Sequence, residues 1–175
     1  MDEGTHLLSG LIIALFFGLG DFNSYFVLWA VLGSILPDVI GEPFYQLARF
    51  KKGKKIKIIY DQDVSDSIKD FGKSYYSYPY YFCHSLFPIV FFSVFNLPLI
   101  FILSLFFHII LDVFSHSKNT GGMMLLWPFI KKRIGSKQDW WNWKIFKGKN
   151  VLYFNLVSWS LFLLVYLIIF LIQKT

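Results

Sequence analysis

Apolar and polar positions fall in blocks along the chain. After Met1-Asp2-Glu3-Gly4-Thr5-His6, an apolar run extends from Leu7 to Leu19. No basic stretch precedes it and no small-residue cleavage site follows, so it predicts a retained helix and not a signal peptide. Gly20-Asp21-Phe22-Asn23-Ser24 is a turn cluster. A second apolar segment runs from Tyr25 to Leu36 and is expected to end at Pro37-Asp38. The stretch Phe82 to Ser115 is too long for one span, since about 20 residues cross the hydrocarbon core. Asn96-Leu97-Pro98 interrupts it. Asn caps helices well and Pro suits a first turn, so a tight helical hairpin is expected there. Val151 to Ile172 is the cleanest span.

Two polar stretches separate these segments. Residues 41–81 carry Arg49, Lys51, Lys52, Lys54, Lys55 and Lys57, then Asp61, Asp63, Asp66 and Asp70. They end in Tyr75-Tyr76-Ser77-Tyr78-Pro79-Tyr80-Tyr81, which reads as an interfacial aromatic belt. An amphipathic helix near 61–73 is expected within this loop. Residues 117–150 hold Lys131-Lys132-Arg133 and Trp140-Trp141-Asn142-Trp143. The tryptophans read as interfacial anchors.

Composition fixes the class. Of 175 residues, 55% are hydrophobic and 16% charged, against about 25% charged in a typical soluble domain. A small domain has too much surface to hide so much apolar material. Cys83 is the only cysteine, which excludes a disulfide scaffold. The expectation is an all-α integral membrane helical bundle. It has about five helical segments, arranged as two short helical hairpins and a C-terminal transmembrane helix in one membrane-embedded domain over 1–175. The first four segments are shorter than a full span, so they are tilted, partly re-entrant or extended by buried polar ends.

The net charge of +6 would suggest nucleic acid in a soluble protein, but the positions of the bases say otherwise. Of 17 Lys and Arg, eight lie in 41–81 and eight in 117–150. Both loops share one side of the membrane, and the positive-inside rule makes that side the cytoplasm. The expectation is a multi-pass inner-membrane protein with a cytoplasmic N-terminus and the C-terminus on the far side. Its partners are membrane lipids, with no nucleic acid. The basic run 49–57 also suits anionic lipid.

The ionisable residues in the apolar segments are few, and this topology puts them at one end. His6 starts segment one, and Asp38 and Glu42 follow segment two. His84 starts segment three, and His108, Asp112 and His116 lie near the end of segment four. The break at Asn96-Pro98 is what lets His84 and His108 converge. His108, Asp112 and His116 are spaced i, i+4, i+8 on one helix face. Adjacent pairs can share a metal. All three cannot, because His108 and His116 are about 12 Å apart along the axis. Imidazole with carboxylate favours Zn²⁺, or Mn²⁺ or Fe²⁺ where carboxylates dominate. Ionisable groups in an apolar helix are costly, so a functional site is the first hypothesis.

Simpler roles compete with it. His6 alone fits a solvated helix start, Asp38 a turn, and His84 an interfacial cap. Asp112 needs a partner, which a structural hydrogen bond to His108 would supply. His116 could face headgroups, and Cys83 could be a small hydrophobe.

Five stretches in order carry a resemblance. They are Thr5-His6-Leu7-Leu8-Ser9-Gly10, Gly33-Ser34-Ile35-Leu36-Pro37-Asp38, His84-Ser85-Leu86, His108-Ile109-Ile110-Leu111-Asp112-Val113-Phe114-Ser115, and Gly121-Gly122-Met123-Met124-Leu125-Leu126-Trp127-Pro128-Phe129. With them the chain resembles the YdjM-like family of inner-membrane proteins, described as membrane-bound metal-dependent hydrolases and distantly similar to zinc-dependent phospholipase C. The resemblance implies metal ligation by His6, Asp38, His84, His108 and Asp112. Two departures stand out. Ile40 occupies a position where family members often carry a second acid, which Glu42 would replace one turn on. Tyr80-Tyr81-Phe82-Cys83 precedes His84 where an Arg is frequent, which weakens any case for phosphate binding; Lys131, Lys132 or Arg133 could supply that charge.

Two functions follow as expectations. The first is a membrane-bound hydrolase at the cytoplasmic face, acting on a phosphoester or lipid-like substrate. One or two Zn²⁺ would be held by His6, Asp38, His84, His108 and Asp112, with His116 as a further candidate, and Glu42 or Asp38 would act on the proton of the attacking water. The second is a non-catalytic scaffold or regulator that binds a soluble protein partner through its basic loops and keeps a structural His/Asp site. A transporter is disfavoured, because the polar residues gather at one side.

Overall fold

The computed structural model describes residues 3–18, 23–51, 53, 77–118, 122–139 and 151–174. Among these residues the chain is helical, with no strand and two isolated bridges. The helices are α1 (Glu3–Phe17), α2 (Ser24–Lys51), α3 (Ser77–Cys83), α4 (Phe87–Val94), α5 (Leu99–Ser115) and α6 (Val151–Lys174). The expected amphipathic helix near 61–73 and the cluster Trp140, Trp141 and Trp143 lie outside the described residues.

α2 corrects the expected end of the second segment. It does not stop at Leu36 but passes through Pro37 and Pro43 to Lys51. Residues 41–51, expected in a loop, are therefore helical. Proline inside a helix costs about 3 kcal/mol through a lost bond and a ring clash. The helix survives because its buried stripe continues across both prolines: Ala30, Gly33, Ser34, Pro37, Gly41, Tyr45 and Ala48 recur every three or four residues. Tertiary burial overrides propensity here. Asn23 starts the helix, its Oδ1 accepting the Tyr25 N–H at 2.9 Å.

The third segment is also corrected. Helix starts earlier, at Ser77, within the tyrosine run assigned to the loop, then breaks at His84-Ser85-Leu86 and resumes at Phe87. Pro79 sits in the first turn of α3, where its missing N–H costs nothing. Pro88 cannot continue a helix from α3, because its ring would meet the carbonyl four residues back, that of His84. α4 has 8 residues, about 12 Å of helix against a core of about 30 Å. The turn at Asn96-Leu97-Pro98 is as expected. Asn96 takes φ 53°, a conformation Asn tolerates, and α5 starts after Pro98.

α2 is the central helix and packs against α1, α3 and α5. Gly33 allows this closeness, since a Cβ there would collide with the Phe101 carbonyl and Ser104 of α5. At the end near the α4–α5 turn, Ala14, Ala30 and Ile100 form a dry cluster. α6 lies on α1 through Leu8, Leu15 and Phe162. One helix among the described residues, α2, is long and apolar enough to cross a membrane by length and composition. α6 has 24 residues. Large apolar side chains are exposed on every helix, among them Phe16, Leu28, Tyr78, Val94, Phe114 and Leu163.

Candidate metal centre

Opposite the dry cluster the same helices carry a polar one. α1 supplies His6 from its first turn, and α2 supplies Asp38 from its midpoint. The break between α3 and α4 supplies His84, and α5 supplies His108 and Asp112, with His116 at its C-terminal cap. His6, His84, His108 and Asp112 are buried to 2% exposure or less. On α5 the site simply continues the buried stripe Ile100, Phe101, Ser104, Leu105, His108, Ile109 and Asp112.

Asp112 is the hub. Its Oδ1 lies 3.1 Å from His6 Nε2 and 3.4 Å from His116 Nε2, and its Oδ2 lies 3.2 Å from His108 Nε2 and 3.5 Å from His84 Nε2. Asp38 Oδ1 is 3.3 Å from His84 Nε2 and 3.9 Å from His108 Nε2, and its Oδ2 is 3.9 Å from His6 Nε2. Four imidazoles thus turn the same nitrogen toward two carboxylates.

Backbone carbonyls set the orientation of two rings. His84 Nδ1–H donates to the Tyr80 carbonyl at 2.9 Å, and His108 Nδ1–H donates to the Ser34 carbonyl at 2.6 Å. A carbonyl only accepts, so each Nδ1 carries a proton, and in the neutral rings both Nε2 lone pairs point at carboxylate oxygens. Acceptor then faces acceptor. His108 Nε2 and Asp38 Oδ2 are buried without a hydrogen-bond partner, an arrangement that burial penalises. Protonating all these rings at once would place like charges side by side, since His108 stacks on His6 at 3.8 Å and lies 5.2 Å from His84. A cation between the two sets of donors relieves it directly.

The spacing suits such an ion. Two ligand atoms on a tetrahedral zinc, at bond lengths of about 2.0–2.1 Å, lie about 3.3 Å apart. Two groups of three meet the requirement, His6 with Asp38 and His108, and His84 with His108 and Asp112, all donor atoms lying within 4.8 Å of one another. These buried His and Asp groups could hold a metal ion. His116 touches Asp112 but belongs to neither group. Burial holds its imidazole below the ordinary value, so it is neutral at neutral pH.

Glu42 sits one turn beyond Asp38, bonded to the Gln46 amide. With Leu7, Ile35, Asp38, Val39, Pro43 and Gln46 it lines a cavity of about 580 Å³ whose walls are mostly apolar. Cys83 is kept from the cluster's chemistry: burial, aided by Asp38, pushes its thiol up to about 11, so it stays a thiol at neutral pH. Arg133 is committed elsewhere. Its Nη2 donates to the Tyr81 hydroxyl at 3.0 Å. Burial raises the Tyr81 phenol above its ordinary value and the Arg133 guanidinium opposes the rise.

Supporting residues escaped the sequence reading. Tyr80 stacks on His84 at 4.1 Å besides holding its Nδ1, yet in sequence it is one tyrosine in a belt. Gly41 leaves room for both, since a Cβ there would meet Tyr80 and His84. Asp139 is buried and accepts the Ser117 N–H at 2.8 Å, beside His116. Only its position among loop bases could have hinted at a structural role.

The family described as YdjM inner membrane protein matches over residues 1–175, and the chain belongs to it. No curated protein and no solved structure matches the chain.

Proposed function

We propose that this chain of the YdjM inner membrane protein family is a metal-dependent hydrolase working at the cytoplasmic membrane surface on a phosphoester or lipid-like substrate. The observation that carries the reading is the pair of buried Nε2 atoms, on His84 and His108, that face Asp38 and Asp112 while each ring's Nδ1 is bonded to a backbone carbonyl. His6, Asp38, His84, His108 and Asp112 would hold one or two Zn²⁺. The metal would lower the pKa of a bound water and polarise the scissile bond. The Tyr80 and Ser34 carbonyls fix two ligand rings, the usual role of partners behind a metal-binding histidine. His116 orients Asp112 from the far side.

A closed structural site would need no access. Here the cavity reaches Asp38, and Glu42 stands on its wall. In this reading Glu42 would take the proton of the attacking water, its carboxylate held by Gln46. The mostly apolar walls would accept a hydrocarbon portion of the substrate.

The same end of the molecule supports a topology. His6, the half of α2 beyond Asp38, and the C-terminus of α5 lie together, and both basic stretches continue from there. In our reading α1, α2, α5 and α6 are embedded in the inner membrane, α4 is re-entrant, and the polar end faces the cytoplasm. The C-terminus of α6 lies on the other side.

The test is hydrolysis of bis(p-nitrophenyl) phosphate and of a phospholipid by purified protein, before and after chelation and with Zn²⁺ restored. Activity should vanish on chelation, return with metal, and be absent in His108→Ala. Activity that survives both chelation and His108→Ala would contradict the reading.

A further inference from the structure

Residues 124–133 form a projecting loop that the metal centre does not use. Its base is fixed by reciprocal bonds between Met123 and Ile134, each N–H donating to the other carbonyl at 2.8 Å. Leu86 N–H donates to the Leu125 carbonyl at 2.9 Å, and Ser136 N–H to the His116 carbonyl at 2.9 Å. The base is therefore tied to the backbone beside His84 and to His116 itself. Met123 and Met124 are buried, but the tip is turned outward: Phe129 is 83% exposed, Ile130 50% and Leu126 49%. Lys131 and Lys132 follow at once and are exposed. Arg133 closes the loop on Tyr81.

We propose that this loop is an interfacial finger that seats the polar end of the molecule on an anionic phospholipid surface. An apolar tip with two cations on its return limb matches the acyl–headgroup boundary, where the rings enter and the ammonium groups stay with phosphate. The depth is limited by the backbone. An irregular segment cannot enter the hydrocarbon core exposed to lipid, and this one satisfies part of its backbone with Trp127 N–H to the Met124 carbonyl and Ile130 N–H to the Leu126 carbonyl. Tyr78 of α3 packs against Trp127 at 5.7 Å, which sets a second amphipathic ring at the same level. Because the base of the finger is bonded to Leu86, two residues beyond His84, and to His116, its depth fixes the level of the centre.

The proposal rests on the membrane reading and not on the metal. In a Cys83→Ala background, which removes the buried native thiol, Phe129→Cys and Gln138→Cys are each labelled with a fluorophore. The full chain is reconstituted in vesicles of phosphatidylcholine with phosphatidylglycerol. The label at 129 should be quenched by brominated acyl chains and be several-fold less accessible to iodide than the label at 138. Adding Lys131→Glu and Lys132→Glu should reduce that protection in anionic vesicles and leave it unchanged in pure phosphatidylcholine. Equal iodide quenching at both positions overturns the proposal. So does protection at 129 without bromolipid quenching, as a covering protein segment would give, or indifference to the lysine reversal. Metal content and flotation with the vesicles, measured on the same sample, report the centre and the membrane reading separately.

Discussion

The two ends of the α1–α2–α5 bundle are made by the same helices under opposite rules. At the dry end Ala14, Ala30 and Ile100 meet, and their only requirement is volume. At the polar end His6, His108 and Asp112 continue the buried faces of α1 and α5, Asp38 of α2 and His84 of the α3–α4 break join them, and each must satisfy direction as well as volume. Packing alone can hold the first end. In the second, neutral His84 and His108 rings set acceptors against acceptors, a conflict that a positive charge between them would relieve. The lesson is that stability and function can be separated along one helix, about a dozen residues apart.

The comparison breaks most visibly at Asp112. Asp112→Ala removes the carboxylate that faces four imidazoles. Metal should be lost entirely, and unfolding in denaturant should come earlier by about 3 kcal/mol or more, as expected when a buried charged network loses a partner. Ile100→Ala makes the opposite change. It should cost about 2–4 kcal/mol through its cavity, yet the folded fraction should keep full metal content by elemental analysis. Glu42→Gln should retain metal and stability while turnover falls about 100-fold, within the usual worth of a general base. Smallest is Tyr80→Leu, which removes the ring on His84 and keeps the backbone carbonyl. A stacking contact is worth about 1 kcal/mol, so metal affinity by competition with a chelator should fall about fivefold.

Parts of this organisation are legible in the amino-acid sequence. Helix spacing puts His108 and Asp112 on one face, and Asn96-Pro98 announces the turn that brings His84 near them. In the structure His108 and His116 meet different oxygens of Asp112. Other parts depend on contacts that a sequence does not display. Pro37 reads as a stop, but Gly33, Gly41 and Ala48 keep α2 close to its neighbours and the helix continues. Pro88 is the readable signal for the break at His84, hidden within an apolar run. The Ser34 and Tyr80 carbonyls that orient His108 and His84 belong to the backbone, so no residue type could reveal them.

The central claim is that the buried lone pairs meet on a metal. It is tested most directly by elemental analysis and X-ray absorption on protein purified without added metal, beside His84→Ala and His108→Ala. The expected result is stoichiometric zinc, or another first-row divalent ion, with a nitrogen and oxygen shell and no sulfur, lost in both variants. A wild-type protein that carries no stoichiometric metal, and takes up none on addition, would contradict it.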